Sequence, residues 1–350
     1  MKKKLFILML SVLSFSIISC KEEVDFKSGN TKKSNKILIN NVGINVISYQ
    51  DIDGQECEIL EFASTIDFDL TLSYLDAKAM EYEDYIDDNY GDLSEEEFDL
   101  LIENGTYDDN HPLIDFENEV SFEMSLRKSY DILEREWMSV EDNDELVHPK
   151  SLYPFTKYEM TLFNKYGEVK IGESIFIFDT LGLIEITNGD FELLKYVKDH
   201  KYEISESEFI KVKRKNNSES EEDCKWWKNK EEYFTWSNRK GLKHVHFHNY
   251  SWKVTSNVEL TTYKKKYGIW WRHRTALFCR NYTRYYDGFC GQIGTAGGTD
   301  RDKKGSNLNC FVTKWDNDPD DVYFYNCNRN NPTYGYFEVE SQNVYQNLIW

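Results

Sequence analysis

A chain of 350 residues with 40% hydrophobic and 15% aromatic side chains can bury sizeable cores, which excludes an intrinsically disordered protein. A formal charge of −20 and a pI near 4.9 argue against nucleic acid as a partner, because phosphate binding needs clustered cations. The charge is uneven: residues 224–350 carry 19 Lys and Arg against 12 Asp and Glu, and residues 1–223 carry 23 against 50. An acidic front and a mildly basic back aid solubility or set how two parts face each other more readily than they make a polyanion site.

At the start of the chain, Lys2, Lys3 and Lys4 precede the apolar run Leu5 to Ile18, the pattern of a secretory signal peptide. The run is interrupted by Ser11, Ser14 and Ser16, and it is shorter than the roughly 20 apolar residues a membrane span needs. Ile17-Ile18-Ser19-Cys20 then resembles the lipobox of bacterial lipoproteins. That resemblance implies removal of residues 1–19 and acylation of Cys20, with palmitate-type chains anchoring it to a membrane at ~0.8 kcal/mol per buried methylene. Lys21, Glu22 and Glu23 look like the acidic surface-export signal of Bacteroidota lipoproteins; the alternative is a hydrated start to a linker. The expected location is therefore the outer membrane, lipid-anchored and facing the cell surface, with the periplasmic leaflet as the alternative.

Residues 20–36, with Gly29 and Asn30 in a Lys/Ser-rich stretch, read as a lipidated tether. An α+β domain is expected over 37–212. Strands at Ile37–Asn40, Ile44–Tyr49 and Cys57–Phe62 lead into a helix capped by Ser64, with Phe68, Leu72, Leu75, Ala79, Tyr82 and Ile86 on one face. A second helix is capped by Ser94 and Glu97. A third carries Phe122, Leu126, Tyr130, Leu133 and Trp137, and Asn104 to Pro112 between them reads as a polar loop. A helix, a turn at Asn164–Gly167, strands at Glu168–Ile171, Ile175–Asp179 and Leu183–Thr187, and a helix from Asp190 complete the domain. The stretch from Leu162 to Phe176, containing Asn164, Gly167 and Val169-Lys170-Ile171-Gly172-Glu173-Ser174, resembles a segment of uncharacterised Bacteroidota cell-envelope lipoproteins, which implies an address and no chemistry. Residues 213–223 read as a linker. Beyond it eight of the nine tryptophans and short Thr/Val/Tyr/Trp runs point to an all-β domain over 224–350, a sandwich or barrel.

With Cys20 lipidated, six cysteines remain, and an exported protein uses them as disulfides first. Hairpin arithmetic pairs Cys310 with Cys327 about Asn317–Asp320, and Cys279 with Cys290 about Arg284 and Tyr285. His244, His246 and His248 share one strand face, read as the polar outer face of an edge strand. Same-face neighbours stand roughly 7 Å apart, so at most two could share an ion without help from elsewhere, and no metal or other cofactor is expected. Asp316 to Asp321 lacks the glycine and the twelfth-position carboxylate of a calcium loop, and Gly291 to Gly298 lacks the Lys-Ser/Thr of a phosphate loop. The expected function is a non-catalytic surface module binding glycan or protein through Trp226, Trp227, Trp270 and Trp271, with Arg272, His273 and Arg274 beside them. The alternative is a surface hydrolase that uses carboxylates in a cleft. Mass spectrometry of the mature protein should find its N-terminus at Cys20 carrying acyl chains, and Cys20→Ser should release it from the membrane; a membrane-bound Cys20→Ser protein contradicts the anchor.

Overall fold

Alternation along three strands builds the first sheet. Val46, Leu60, Phe62, Phe176 and Phe178 point to one face, whereas Ile47, Cys57, Ile59, Ile175 and Ile177 point to the other. The computed structural model describes residues 35–348 apart from 40, 144–145, 154, 180–181, 201–202, 215–226, 251, 288–291, 297–299, 316–321, 324–332 and 340–341. Strands β1 (Asn35–Ile39), β2 (Val42–Gln50), β3 (Glu56–Phe62), β4 (Glu168–Ile171), β5 (Ser174–Asp179), β6 (Gly182–Ile186) and β7 (Ile210–Arg214) lie side by side in chain order. Every pairing is antiparallel except β3 with β4, where Glu61 and Phe62 run parallel to Lys170 and Ile171.

A parallel step needs a crossover, and here the crossover is a helical layer. It comprises α1 (Thr65–Tyr90), α2 (Glu95–Glu103), α3 (His111–Glu119), α4 (Leu126–Met138), α5 (Pro149–Leu152) and α6 (Lys157–Leu162). Ser64, Ser94, Ser125 and Thr156 cap α1, α2, α4 and α6, and Ser94–Glu97 and Thr156–Glu159 form full capping boxes. Where a loop was expected up to Pro112, α3 already begins at His111. Proline at the first turn of a helix lacks only an N–H that the helix leaves unbonded anyway. A last helix, α7 (Phe191–Asp199), covers the opposite face of the sheet with Leu194 and Val197.

The second half is all strand among the described residues. A five-stranded sheet is ordered β11 (Ile269–Arg272), β10 (Lys253–Lys266), β9 (Arg239–Asn249), β8 (Trp227–Trp236), with β15 (Asn307–Trp315) also on β10. A six-stranded sheet is ordered β13 (Gln292–Ala296), β12 (Thr275–Asp287), β17 (Thr333–Val339), β18 (Gln342–Leu348), with β14 (Asp300–Gly305) and β16 (Val322–Tyr323) on β12. The two sheets enclose Val245, Val258, Leu260, Leu277, Leu308 and Phe337. The order is thus α+β followed by a β-sandwich. Residues 33–350 form one compact unit. Of the expected linker, Lys213 and Arg214 belong to β7 and the rest lies outside the described residues, as do Cys20, Lys21, Glu22 and Glu23. No described helix is long and apolar enough to cross a membrane.

The disulfide differs from both expected pairings. Cys279 of β12 is bonded to Cys310 of β15, with their Cα atoms 6.1 Å apart, so the bond joins the two sheets and staples no hairpin. The hairpin arithmetic failed because β12 runs straight through Arg284 and Tyr285. It pairs Thr283 with Ala296 and Tyr285 with Gly294, so the strand pairing does not centre on those two residues. Cys290 and Cys327 lie outside the described residues. Cys57 is a buried free thiol. Non-reducing peptide mapping should recover the Cys279–Cys310 peptide, and replacing both cysteines by alanine should lower stability by about 2–5 kcal/mol in urea unfolding. Recovery of Cys310 joined to Cys327 would contradict this fold.

Candidate functional site

The face of the five-stranded sheet turned away from the sandwich core rests on the helical layer, and ion pairs tie the helices to that sheet, to β14 and to the β11–β12 connection, those of α2 on the opposite face at the sheet's end. On α1, Asp69, Asp76 and Glu83 recur every seven residues, which is two helical turns, and so share one face. Asp69 binds Lys253, Asp76 makes a two-pronged pair with Arg301 at 2.5 and 2.6 Å, and Glu83 and Asp87 hold Arg274 at 3.3 and 2.7 Å. On α2, Glu95 takes Arg239 and Lys264, Asp99 takes Lys264, and Glu103 takes Lys266.

Glu134 of α4 is the buried centre of this layer. Burial alone would raise its carboxyl, but Arg272 at 2.6 Å, with Lys157 behind it, outweighs burial and holds it at about 2. A chain of hydrogen bonds converges on it. Lys150 N–H donates to His148 Nδ1 at 3.0 Å, His148 Nε2 meets the Tyr263 hydroxyl at 2.9 Å, and that hydroxyl donates to Glu134 at 2.8 Å. With Nδ1 accepting, the His148 proton sits on Nε2. Burial, the largest influence, keeps His148 neutral with its pKa down at about 3, although Glu134 pulls the other way.

His244, His246 and His248 lie on this same face, only 1–3% exposed. The expected outer face is therefore overturned: β9 lies between β8 and β10, away from the edge, and the helices cover it. Burial pushes His244 and His246 well below the ordinary imidazole range, so both are neutral. Their Nδ1 atoms are 3.2 Å apart. From α6, Glu159 approaches His246 and His248, with one ligand atom of each residue within 4.8 Å of the others. Its Oε2 accepts from Thr156 N (2.7 Å) and Oγ1 (3.0 Å), and its Oε1 accepts from the Tyr250 hydroxyl. A cavity of about 250 Å³ between α1, α6 and the sheet is lined by Asp69, Glu159, His246 and Lys253. Thr156 and Glu159 stand at Thr-x-x-Glu spacing, the one sequence signal that marks Glu159, and it reads there as a cap alone.

A second pocket, about 410 Å³, opens in the first half. Its walls include Tyr153, Phe155, Tyr166, Phe178 and Val197, with Lys198 and Glu168 as polar members. Glu168 is fully buried, bonded to the Tyr49 hydroxyl and to Asn164 Nδ2 (2.7 Å), with Lys198 Nζ 3.0 Å away. Lys198 also lies 3.6 Å over the ring of Tyr166. The turn before β4 requires glycine at 167. Its φ is +77°, and a Cβ there would sit 2.0 Å from the carbonyl oxygen of Phe178.

Trp270 and Trp271 are both half-buried and point to opposite faces of β11. Trp270 packs with Trp137 and Tyr263 under Lys240, 4.4 Å from its ring, and Trp271 lies beside Asp99 and Ile102 of α2. Arg272 and Arg274 are taken up by Glu134, Glu83 and Asp87, and His273 is buried. Trp226 and the side chain of Trp227 lie outside the described residues, as does Asp316–Asp321.

No family model and no curated protein matches the chain. Among solved structures, a crystal structure of a DUF4848 family protein from Bacteroides thetaiotaomicron is similar over 86% of this chain and 98% of that one. The two are 13% identical with a TM-score of 0.19, a likeness too loose to carry an argument about fold or function.

A group whose folded pKa lies below its unfolded value contributes stability above the unfolded value and loses it as pH falls towards the folded one. His148 therefore destabilises the protein on acidification from about pH 6.5, by on the order of 2 kcal/mol at pH 5. Urea unfolding at pH 7 and pH 5 should show this loss shrinking by that amount in His148→Asn, which keeps a capping side chain; an unchanged loss contradicts the assignment.

Proposed function

We propose that this chain is a lipid-anchored protein of the cell surface that binds a carbohydrate without transforming it, in the pocket beside Tyr166 and Lys198. The observation that carries the reading is the pocket's make-up. Small-ligand sites span roughly 300–1,000 Å³ and are mostly apolar with a few fixed polar groups, and the 410 Å³ pocket answers that description. Tyr153 offers a ring face of the kind sugars stack on, and Lys198, held by Glu168 and lying over Tyr166, supplies a donor beside it. Glu168, fully buried and bonded to Tyr49, Asn164 and Lys198, holds Lys198 in place and is out of reach of a ligand as an acid or base.

The hydrolase reading draws on a different observation: Asp69 and Glu159 line one interior cavity. Asp69 is tied to Lys253 and Trp252, and Glu159 to Tyr250 and Thr156, so neither carboxylate stands free as an acid or base facing a substrate. The binding reading is therefore preferred.

A glycan array probed with the wild-type protein tests it, followed by titration of Tyr153→Ala and Lys165→Ala, two half-buried positions at the pocket rim. The expected result is a ligand for the wild type and at least about tenfold weaker binding by both folded variants, the loss of one hydrogen bond or stacking contact. Equal binding by the variants overturns the pocket. Loss confined to Trp270→Ala or Trp271→Ala returns the site to the second half.

A further inference from the structure

We propose that Glu159, His246 and His248 together hold one divalent transition-metal ion of the zinc class, at a site separate from the pocket beside Tyr166. Two imidazoles of one strand can share an ion only if a third ligand arrives from elsewhere, and α6 supplies it. Thr156 and Glu159 form the capping box that starts α6, and this fixes the carboxylate over the histidine face of β9. The ligand atoms lie within 4.8 Å of one another, and around a single ion they would stand about 3.3 Å apart, so a contraction of at most about 1.5 Å between them completes the site.

The surroundings suit an ion. All three residues are buried, so an ion there would meet protein ligands and cavity water and not bulk solvent. A carboxylate has about four lone-pair sites. Oε1 of Glu159 spends one on the Tyr250 hydroxyl, which leaves another for a metal while Tyr250 orients the group. The Nδ1 atoms of His244 and His246 share one proton across 3.2 Å; with that proton on His246, its Nε2 lone pair is the free donor. Lys150, close enough to act on His244 and His246, is neutralised by Glu259 at 2.6 Å.

The donor set, two nitrogens and one oxygen, favours zinc-class ions over calcium or magnesium, which take oxygen shells. Glu159 and His246 also line the 250 Å³ cavity, which has room for water at a fourth position. Three protein ligands with an open place is the arrangement of metal sites that bind an exchangeable group.

The test uses the detergent-solubilised mature protein with its disulfide intact, stripped by chelator and titrated with Zn²⁺ and Co²⁺. One equivalent of Zn²⁺ should bind, Co²⁺ should give the visible absorption of a four-coordinate ion, and Ca²⁺ and Mg²⁺ should not compete. His246→Gln and Glu159→Gln should abolish the high-affinity equivalent, and His200→Gln, outside the site, should keep it. Tyr250→Phe preserves ring packing and so guards against a variant that fails to fold; it should weaken Zn²⁺ binding about 10- to 100-fold. Absence of a Zn²⁺ equivalent in the wild type, or an equivalent that survives unchanged in Tyr250→Phe and either folded ligand variant, overturns the site.

Discussion

Buried charge facing buried charge is the constraint that the rest of this structure answers to. The acidic stripe of α1, the three acids of α2 and Glu134 of α4 are matched by Arg239, Lys253, Lys264, Lys266, Arg272 and Arg301 on the strands and by Arg274 between β11 and β12. Such pairs need not add net stability, because desolvating both members offsets much of their attraction. Removing one member of a buried pair, as at Glu134–Arg272 or Asp69–Lys253, strands a charge at about 3–5 kcal/mol, whereas the more exposed pairs of α2 contribute little, so the buried pairs weigh against misdocked arrangements. Part of the opposite charge of the two parts is spent in these pairs.

That contact also positions the candidate chemistry. The single parallel step between β3 and β4 forces six helices into one crossover, and those helices lie with the seven-stranded sheet on one side and the five-stranded sheet on the other. Glu159 meets His246 and His248 because α6 lies in that layer and β9 lies across from it. The first-half pocket arises from the same architecture, at the turn where Gly167 lets the chain pass close to β5.

Much of the fold is local and was legible for that reason. Ser64, Ser94 and Asp190 announce helix starts through short-range hydrogen bonds, and the alternation of Phe176 and Phe178 with Ile175 and Ile177 marks a strand buried on both faces. What covers a face is a tertiary matter. The period of His244, His246 and His248 tells which residues share a side of the strand, and says nothing of the helices that bury that side. Asp69, Asp76 and Glu83 likewise carry no local sign of the cations that meet them. The disulfide was missed because Cys279 and Cys310 belong to different sheets, and index arithmetic sees only hairpins. Of the candidate site, the strand histidines were visible and Glu159 was hidden inside a capping motif.

If charge docking makes the two halves one cooperative body, they must unfold together. Among the described residues all helices lie in the first half, and eight of the nine tryptophans lie in residues 224–350, so two optical signals separate the halves. Far-ultraviolet circular dichroism reports the helices and tryptophan fluorescence reports mainly the sandwich. Equilibrium urea unfolding of the disulfide-intact protein followed by both should give coincident transitions. Two transitions with separate midpoints, one for each signal, would contradict the account.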